Sequence, residues 1–592
     1  MPTVSAHVAH ALAQHIDHVF GVMGNGNAHF LDALERSTDV HYTALRHEAG
    51  GVVAADAHFR AGGGLAAATA TYGAGFTNTL TALAEAVQAH VPLILVVGDE
   101  PTSGPRPWDV DQIALASAVG ARTYTVGRAD AAATTVIAIE HALSYRVPTV
   151  LAIPYDVAKL DAGPLSDAPR PALPGPVAPT TPFALGVIDE IAAALERAQR
   201  PLLLAGRGAW EAGAGPALDA LAARTGALTA STALGRGLFT DDRYDLGVAG
   251  GFGAEGAMEI AAEADVVVVF GAGLNQFTMR FGALVSPRTR LFQVDIAPAA
   301  THPHVGGFVR GDARLVAELL LSRLAPSSSS PSPSSPSPSS PSPFSSRNTS
   351  AHEKPQHEAF LAADVVSRER WRDAASVAAA RMRDAGAILA PDGRLDPRAV
   401  AARIGELLDG HASTRDRVVV SDGGHFIGWA NMYWPVASPD RMMMVGTAYQ
   451  SIGLGFPSVP GAALARPTAT IVLSTGDGGG LMALADLESA VRVAGGRGLA
   501  VVWNDAAYGA EVNLYGLQGL AREPMLIPEV DFAGLARAVG AEGVVVRTLD
   551  DLDALQRWAR TPVADRPFLL LDCRISGDVI APYQQEIVRV NS

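Results

Sequence analysis

The chain of 592 residues contains a single cysteine, Cys573, so it can form no disulfide within itself and no thiolate metal cluster. Cys573 lies in the apolar run "FLLLDCRI" and reads as core. Positive charge is also in short supply: 45 Lys and Arg against 60 Asp and Glu give a formal charge of −15. Nucleic acid and anionic membrane both require a basic surface, so neither is an expected partner. A phosphate group would have to be held by backbone amides, helix ends or a metal ion. Long hydrophobic runs are missing too. The longest, such as "VVVVFGAGL" at 266–274, fall well short of the ~20 residues that a membrane span needs. The opening "MPTVSAHVAHALAQHIDHVF" lacks the basic start of a signal peptide. A cytoplasmic enzyme or binding protein is the expected class.

What is abundant is apolar residue: 48% of the chain, against 18% charged. Such a chain is too long for one core and should divide into several domains. The clearest division is "PSSSSPSPSSPSPSSPSP" at 326–343, which offers no apolar side chain to bury and reads as an extended linker. A second Pro-rich passage at 168–182 marks an earlier boundary. The expected organisation is an N-terminal domain at 1–165, a central domain at 183–325, a Ser/Pro-rich linker with a helical segment at 326–392, and a C-terminal domain at 393–592. The charged stretch 352–385 carries the helical pattern. Within each domain, short β-branched or leucine-rich runs such as "PLILVVGDE", "DVVVVFGAG" and "TIVLSTGDG" alternate with alanine-rich helical patterns. That alternation predicts an α/β fold of three doubly wound parallel-sheet domains, with ligands beyond the carboxyl ends of the strands.

Two such strand ends draw the eye. In "LSTGDGGGLMALADLESA" (473–490) four glycines surround one acid, Asp477. In "VVWNDAAYGAE" (501–511) a second apolar run stops at Asn504, 27 residues later. One crossover helix, expected at 481–493, brings the ends of consecutive parallel strands side by side. A carboxylate, an amide oxygen and nearby carbonyls would then face one crevice, a set of hard oxygen donors that suits Mg²⁺ with water and phosphate oxygens completing its shell. The turn amides of Gly478 and Gly479 could meet the phosphates. The GDG triplet alone is equally compatible with a purely structural turn.

The coupled pattern is more specific. GDG followed at this spacing by "WNDAAYG" resembles the thiamine-diphosphate signature of the acetolactate synthase, 2-oxoacid decarboxylase and benzaldehyde lyase superfamily. The resemblance implies that Asp477 and Asn504 are side-chain ligands of Mg²⁺, with the backbone carbonyl of Ala506 as a third, and that Gly476, Gly478 and Gly479 border the diphosphate. The second Asn usual in that signature is replaced here by Asp505, or the doublet is shifted by one place. The domain order it implies is pyrimidine-binding, central and diphosphate-binding. Near the N-terminus "HYTALRHEAGG" (41–51) supplies Glu48 as the acid that exchanges a proton with the cofactor's pyrimidine ring, flanked by "VFGVMGNGN" and "TYGAGFTN". In these enzymes that glutamate and the diphosphate site come from different subunits, which implies a homodimer or homotetramer. Ile452, in "MVGTAYQSIGLGF", resembles the bulky residue under the thiazolium ring. Gly424, His425 and Phe426, in "SDGGHFIGW", resemble the diphosphate-side loop.

For substrate the resemblance offers Gln112, which matches an active-site glutamine of the benzaldehyde lyase branch but could equally be a loop amide. Asn25, Gly26 and Asn27, in "GNGN", could polarise a substrate carbonyl or support a left-handed turn. The central domain resembles one that binds FAD in some members, and its sequence leaves FAD undecided. The expected activity is that of an acetolactate-synthase-like carboligase, which decarboxylates a 2-oxo acid and joins the acyl unit to a second carbonyl compound. The alternatives are an aldehyde-releasing decarboxylase or acyloin lyase, and a flavin-dependent oxidase of the pyruvate oxidase type.

Overall fold

The computed structural model describes residues 1–324 and 371–591. The Ser/Pro linker at 326–343 and most of the helical stretch expected at 352–385 lie outside the described residues; inside them, Ala374–Ala380 is a helix. Met1–Gly175 and Arg383–Ser592 together form one compact unit, and Pro176–Met382 forms another. The predicted α/β class with three parallel-sheet domains is what the structure shows: three parallel sheets of six strands each.

The first sheet holds β1 (His18–Gly21), β2 (His41–Ala44), β3 (Ala67–Ala70), β4 (Ile94–Asp99), β5 (Arg122–Thr125) and β6 (Thr149–Pro154), in the spatial order 2-1-3-4-6-5. The central unit's sheet holds β7 (Pro201–Ala205), β8 (Leu228–Ser231), β9 (Asp245–Val248), β10 (Val266–Phe270), β11 (Arg290–Asp295) and β12 (Val305–Arg310), in the order 12-11-10-7-8-9. The last sheet holds β13 (Arg417–Ser421), β14 (Met442–Met444), β15 (Thr470–Gly476), β16 (Gly498–Asn504), β17 (Glu542–Val546) and β18 (Leu569–Arg574), in the order 14-13-15-16-18-17. The inner strands β4, β6, β10, β15, β16 and β18 are buried at every position. This is why they read as unbroken apolar runs rather than as alternating patterns. The last sheet repeats the strand order of the first, and in both the order reverses between the first and third strands. Such a reversal opens a crevice at the strand ends, where ligands of open α/β sheets bind.

Within the larger unit the helix Glu48–Arg60, which follows β2, packs against the helix Gly455–Ala465, which follows β14. The approach is so close that a methyl group at Gly461 would lie 1.9 Å from the carbonyl oxygen of Ala54. Polar contacts cross the same seam. The Arg60 guanidinium bonds Asp56, Glu85 and the carbonyl oxygen of Met444, and Glu85 accepts from the Tyr449 amide. Asp486 accepts from the Arg46 amide at 2.8 Å.

Candidate functional site

Asp477 opens the helix Asp477–Met482 directly after β15, with Gly476 in extended conformation before it. The expected helix over 481–493 is broken here. The chain runs from Met482 through a 3-10 turn at Leu484–Asp486 into the helix Leu487–Ala494, and at this junction Asp486 accepts from the Arg46 amide and the Ser489 hydroxyl. One oxygen of Asp477 accepts the Gly478 amide at 2.8 Å; the other, Oδ2, is buried without a partner. Burial first, and then repulsion from Asp505, pushes the Asp477 carboxyl up to about 7. A methyl group at Gly478 would strike the Tyr508 ring at 2.7 Å, and one at Gly479 would approach the Asp422 carboxylate at 2.9 Å. The glycines therefore let the turn sit flush against its neighbours.

Across the crevice, Asp422 directly follows β13, and sequence reasoning passed over it. It is fully buried and accepts from the amides of Gly423 (2.9 Å) and Leu454 (3.2 Å) and from the Thr475 hydroxyl (3.0 Å). Burial raises its carboxyl to about 6. Asp422 thus ties together the loop after β13, the end of β15 and the segment holding Ile452. Ile452 is half-buried beside Gly423, where a methyl group would meet its Cγ2 at 3.3 Å. Gly424 has φ +135, and a side chain there would collide with Phe426. Phe426 is itself buried, its ring filling the space over Gly424 and Gly476, so it serves as packing beneath the loop. His425 Nε2 donates to Asp505 Oδ2, 2.7 Å away, and its backbone carbonyl accepts the buried Tyr583 hydroxyl from the C-terminal helix Pro582–Asn591. Burial opposes protonation of His425, but the Asp505 carboxylate outweighs it and raises the pKa.

Asn504, the last residue of β16, turns its amide nitrogen toward Asp572 on β18 (2.9 Å) and the Val530 carbonyl (3.2 Å). Its Oδ1 is buried without a partner. Asp505, one residue on, has a side chain only 1% exposed, and its Oδ1 is likewise buried without a partner. Ala506 has φ +61, and its carbonyl accepts from Ile527 at 2.9 Å. Three buried oxygens that face no donor, around strand ends rich in glycine, form the environment in which a hard divalent cation and a diphosphate are stable. The residues present fit thiamine diphosphate with a metal ion.

The remaining expected residues gather at the other strand-end crevice, in the first sheet. Glu48 is the first residue of its helix, half-buried, with Oε2 accepting from Asn78 at 3.0 Å. Asn25 is exposed and donates to the Tyr72 hydroxyl at 2.8 Å, and Gly26 donates to Thr71 Oγ1 at 2.9 Å. Asn27 is buried and fully engaged by Gly24, Val22 and Thr69, so it shapes the turn. Gln112 is buried as well, accepting from the Gly73 amide and donating to Gly98 and Asp99. Over Tyr72 lies the Arg106 guanidinium, 3.9 Å from the ring centroid. Glu48 and Asp477 thus stand at the strand ends of two different sheets.

Comparison with known proteins follows the same division. The model of the thiamine pyrophosphate enzyme N-terminal TPP-binding domain matches residues 2–116, that of the central domain residues 188–320, and that of the C-terminal TPP-binding domain residues 422–573. A sulfoacetaldehyde acetyltransferase of Roseovarius nubinhibens is 26% identical, with 100% of this chain and 94% of the relative covered. An acetolactate synthase isozyme 3 large subunit of Escherichia coli is 25% identical over 95% of this chain and 93% of its own. A probable acetolactate synthase large subunit of Methanocaldococcus jannaschii is 24% identical over 94% and 89%. Among the described residues no helix is long and apolar enough to cross a membrane.

Proposed function

Because the chain belongs to the thiamine pyrophosphate enzymes, with their N-terminal, central and C-terminal domains in order, we propose that it is a carboligase that decarboxylates a 2-oxo acid and joins the acyl unit to a second carbonyl compound. As a member it is a thiamine-pyrophosphate-dependent enzyme acting on C–C bonds. The observation that carries the finer reading is the pairing of whole-length similarity to acetolactate synthases and a sulfoacetaldehyde acetyltransferase with Glu48 in place at the N-terminal strand ends. Asp477 and Glu48 stand at the strand ends of different sheets, and a homodimer in which each site draws on two chains would pair them across subunits.

Thiamine diphosphate, when bound, supplies a nucleophilic carbon that adds to a ketone carbonyl and takes up the electron pair freed when CO₂ leaves. The Asp477 turn, its amides and a Mg²⁺ ion would hold the diphosphate end. Ile452, beside Gly423, would offer an apolar surface to the ring system. Glu48, steadied at Oε2 by Asn78, would be the acid that exchanges a proton with the pyrimidine. Asn25 stands exposed at the mouth of the first sheet's crevice to orient a substrate oxygen. The test is CO₂ release and product analysis with pyruvate, with and without added aldehydes, in thiamine diphosphate and Mg²⁺. The wild type should yield an acyloin or acetohydroxy acid and Glu48→Gln almost none. Aldehyde as the sole product would replace carboligation by simple decarboxylation.

A further inference from the structure

We infer that a wall formed by Tyr72, Arg106, Trp108 and Tyr155 at the strand ends of the first sheet selects an uncharged aromatic aldehyde as the second carbonyl compound; this rests on the carboligase reading above.

Three neighbouring strands of the sheet end here. Tyr72 follows β3, Arg106 and Trp108 stand in the loop after β4, and Tyr155 directly follows β6. The Arg106 guanidinium lies 3.9 Å from the Tyr72 ring centroid, 4.9 Å from that of Tyr155 and 5.7 Å from that of Trp108, so one planar cation gathers three aromatic rings. Tyr72 and Tyr155 meet edge to face with centroids 6.1 Å apart, and Asn25 holds the Tyr72 hydroxyl at 2.8 Å. The wall adjoins Glu48 through Thr71. A methyl group on Gly75 would lie 3.4 Å from Glu48 Oε1 and 2.6 Å from Thr71 Cγ2, and one on Gly26 would lie 2.9 Å from Thr71 Oγ1 and 2.7 Å from the Tyr72 ring.

The charge of Arg106 is already engaged. Asp109 grips it as a fork, with Nε donating to Oδ2 and Nη2 to Oδ1 at 2.8 Å each, and the Asp109 side chain is only 2% exposed. A bidentate pair of this kind is neutral as a unit and fixes the guanidinium plane. Around it the loop 99–112 carries Asp99, Glu100, Asp109 and Asp111 against Arg106 alone. Asp156, bonded by the amide and hydroxyl of Thr102, stands beside Tyr155. An anionic tail entering here meets like charges in excess. A flat uncharged ring meets aromatic surface instead, since Trp108 is 59% exposed and Tyr155 37%. Offset or edge-to-face contact with those rings favours an aromatic group over an aliphatic one of the same size. Arg106 acts as a positioning residue that holds the rings in place, and Trp108 and Tyr155 do the selecting.

Binding to the full chain with thiamine diphosphate and Mg²⁺ is measured by saturation-transfer NMR titration, with melting as the check on folding. Benzyl alcohol is the neutral aromatic probe and isethionate the anionic one; neither has a carbonyl to react, so the readout is independent of turnover. Wild type should bind benzyl alcohol at least about tenfold more tightly than isethionate. Trp108→Ala and Tyr155→Ala should each weaken benzyl alcohol by about three- to tenfold, while Tyr155→Phe, which keeps the ring, should match wild type. Arg106→Lys keeps the charge but loses the plane, and should weaken benzyl alcohol by about threefold. Unchanged benzyl alcohol affinity in both alanine variants would overturn the wall. Tighter binding of isethionate than of benzyl alcohol would overturn it too, and would make Arg106 an anion receptor. The carboligase reading is tested separately, with pyruvate and benzaldehyde. The expected binding pattern without any acyloin product would sink that reading and, with it, the role of the wall in choosing an acceptor; acyloin formed equally well by wild type and both alanine variants would sink the wall alone.

Discussion

Gly461 and Gly186 allow the same substitution to be tried in two surroundings. Both lie inside helices, Gly455–Ala465 and Pro182–Arg197. In an open helical position, replacing Gly by Ala stabilises by roughly 0.8–1 kcal/mol, through the lower conformational freedom of the unfolded chain. At Gly186 nothing lies within 4 Å of the added methyl, so Gly186→Ala should show that gain. At Gly461 the methyl would lie 1.9 Å from the Ala54 carbonyl oxygen, 2.8 Å from its carbon and 2.9 Å from the His58 nitrogen. All three are backbone atoms of the facing helix and cannot rotate away. Restoring ordinary contact requires the two helices to part by more than about 1 Å, and a gap of that order forfeits a quarter to a half of each dispersion contact along the seam. Overpacking of this kind costs about 1–3 kcal/mol, more where backbone faces backbone. After subtracting the propensity gain, Gly461→Ala should remain destabilising, by up to about 2 kcal/mol. Urea unfolding followed by circular dichroism measures both variants against wild type. A Gly461→Ala midpoint equal to or above wild type would refute the close-approach argument.

His58 is buried beside His18, with ring centroids 4.9 Å apart, and burial followed by the His18 charge lowers its pKa to about 4. The unfolded chain therefore binds a proton near pH 6.5 that the folded chain refuses until about pH 4. Stability is fully present above pH 6.5 and falls with pH toward 4, by about 3 kcal/mol in all; His58→Gln should flatten the urea midpoint between pH 7 and pH 5. Gln112→Ala removes a donor and acceptor from three buried hydrogen bonds and should lower stability by about 1–3 kcal/mol, seen as a lower melting midpoint. Activity lost in Gln112→Ala without that shift would assign the residue to substrate. Asn78→Ala frees Glu48 and should reduce kcat by about tenfold while cofactor affinity, measured by fluorescence quenching, stays near wild type.

Central strands were legible because they are buried on both faces. "PLILVVGDE", "DVVVVFGAG" and "TIVLSTGDG" correspond to β4, β10 and β15. Several other strands were not. β5 is "RTYT", with two exposed and two half-buried residues, and β14 is three methionines that carry no strand signature. β1 hid behind "HVFG", too short to stand out. In the site, Asp477 stood out because four glycines cluster around one acid at the end of an apolar run. Asp422 did not, since an acid that organises three loops from below looks in sequence like any residue at a strand end. The distinct directions of Asn504 and Asp505 depend on where a strand stops, to a single residue. Hydrophobic runs do not resolve a boundary that finely.

The first and last sheets share one strand order, and the helices that meet at Ala54 and Gly461 are counterparts, each following the second strand of its sheet. The larger unit therefore has the logic of an isologous dimer folded from a single chain. Like surfaces meet like, yet each half is free to diverge, because a substitution enters one counterpart and not the other. Divergence has used that freedom at the third strand. After β15 the turn carries an acid among glycines, whereas after β3 the corresponding turn reads Thr71, Tyr72 and Gly73. On the proposed reading, one half of a repeated architecture would anchor phosphate and metal, while the other would read the organic part of what binds.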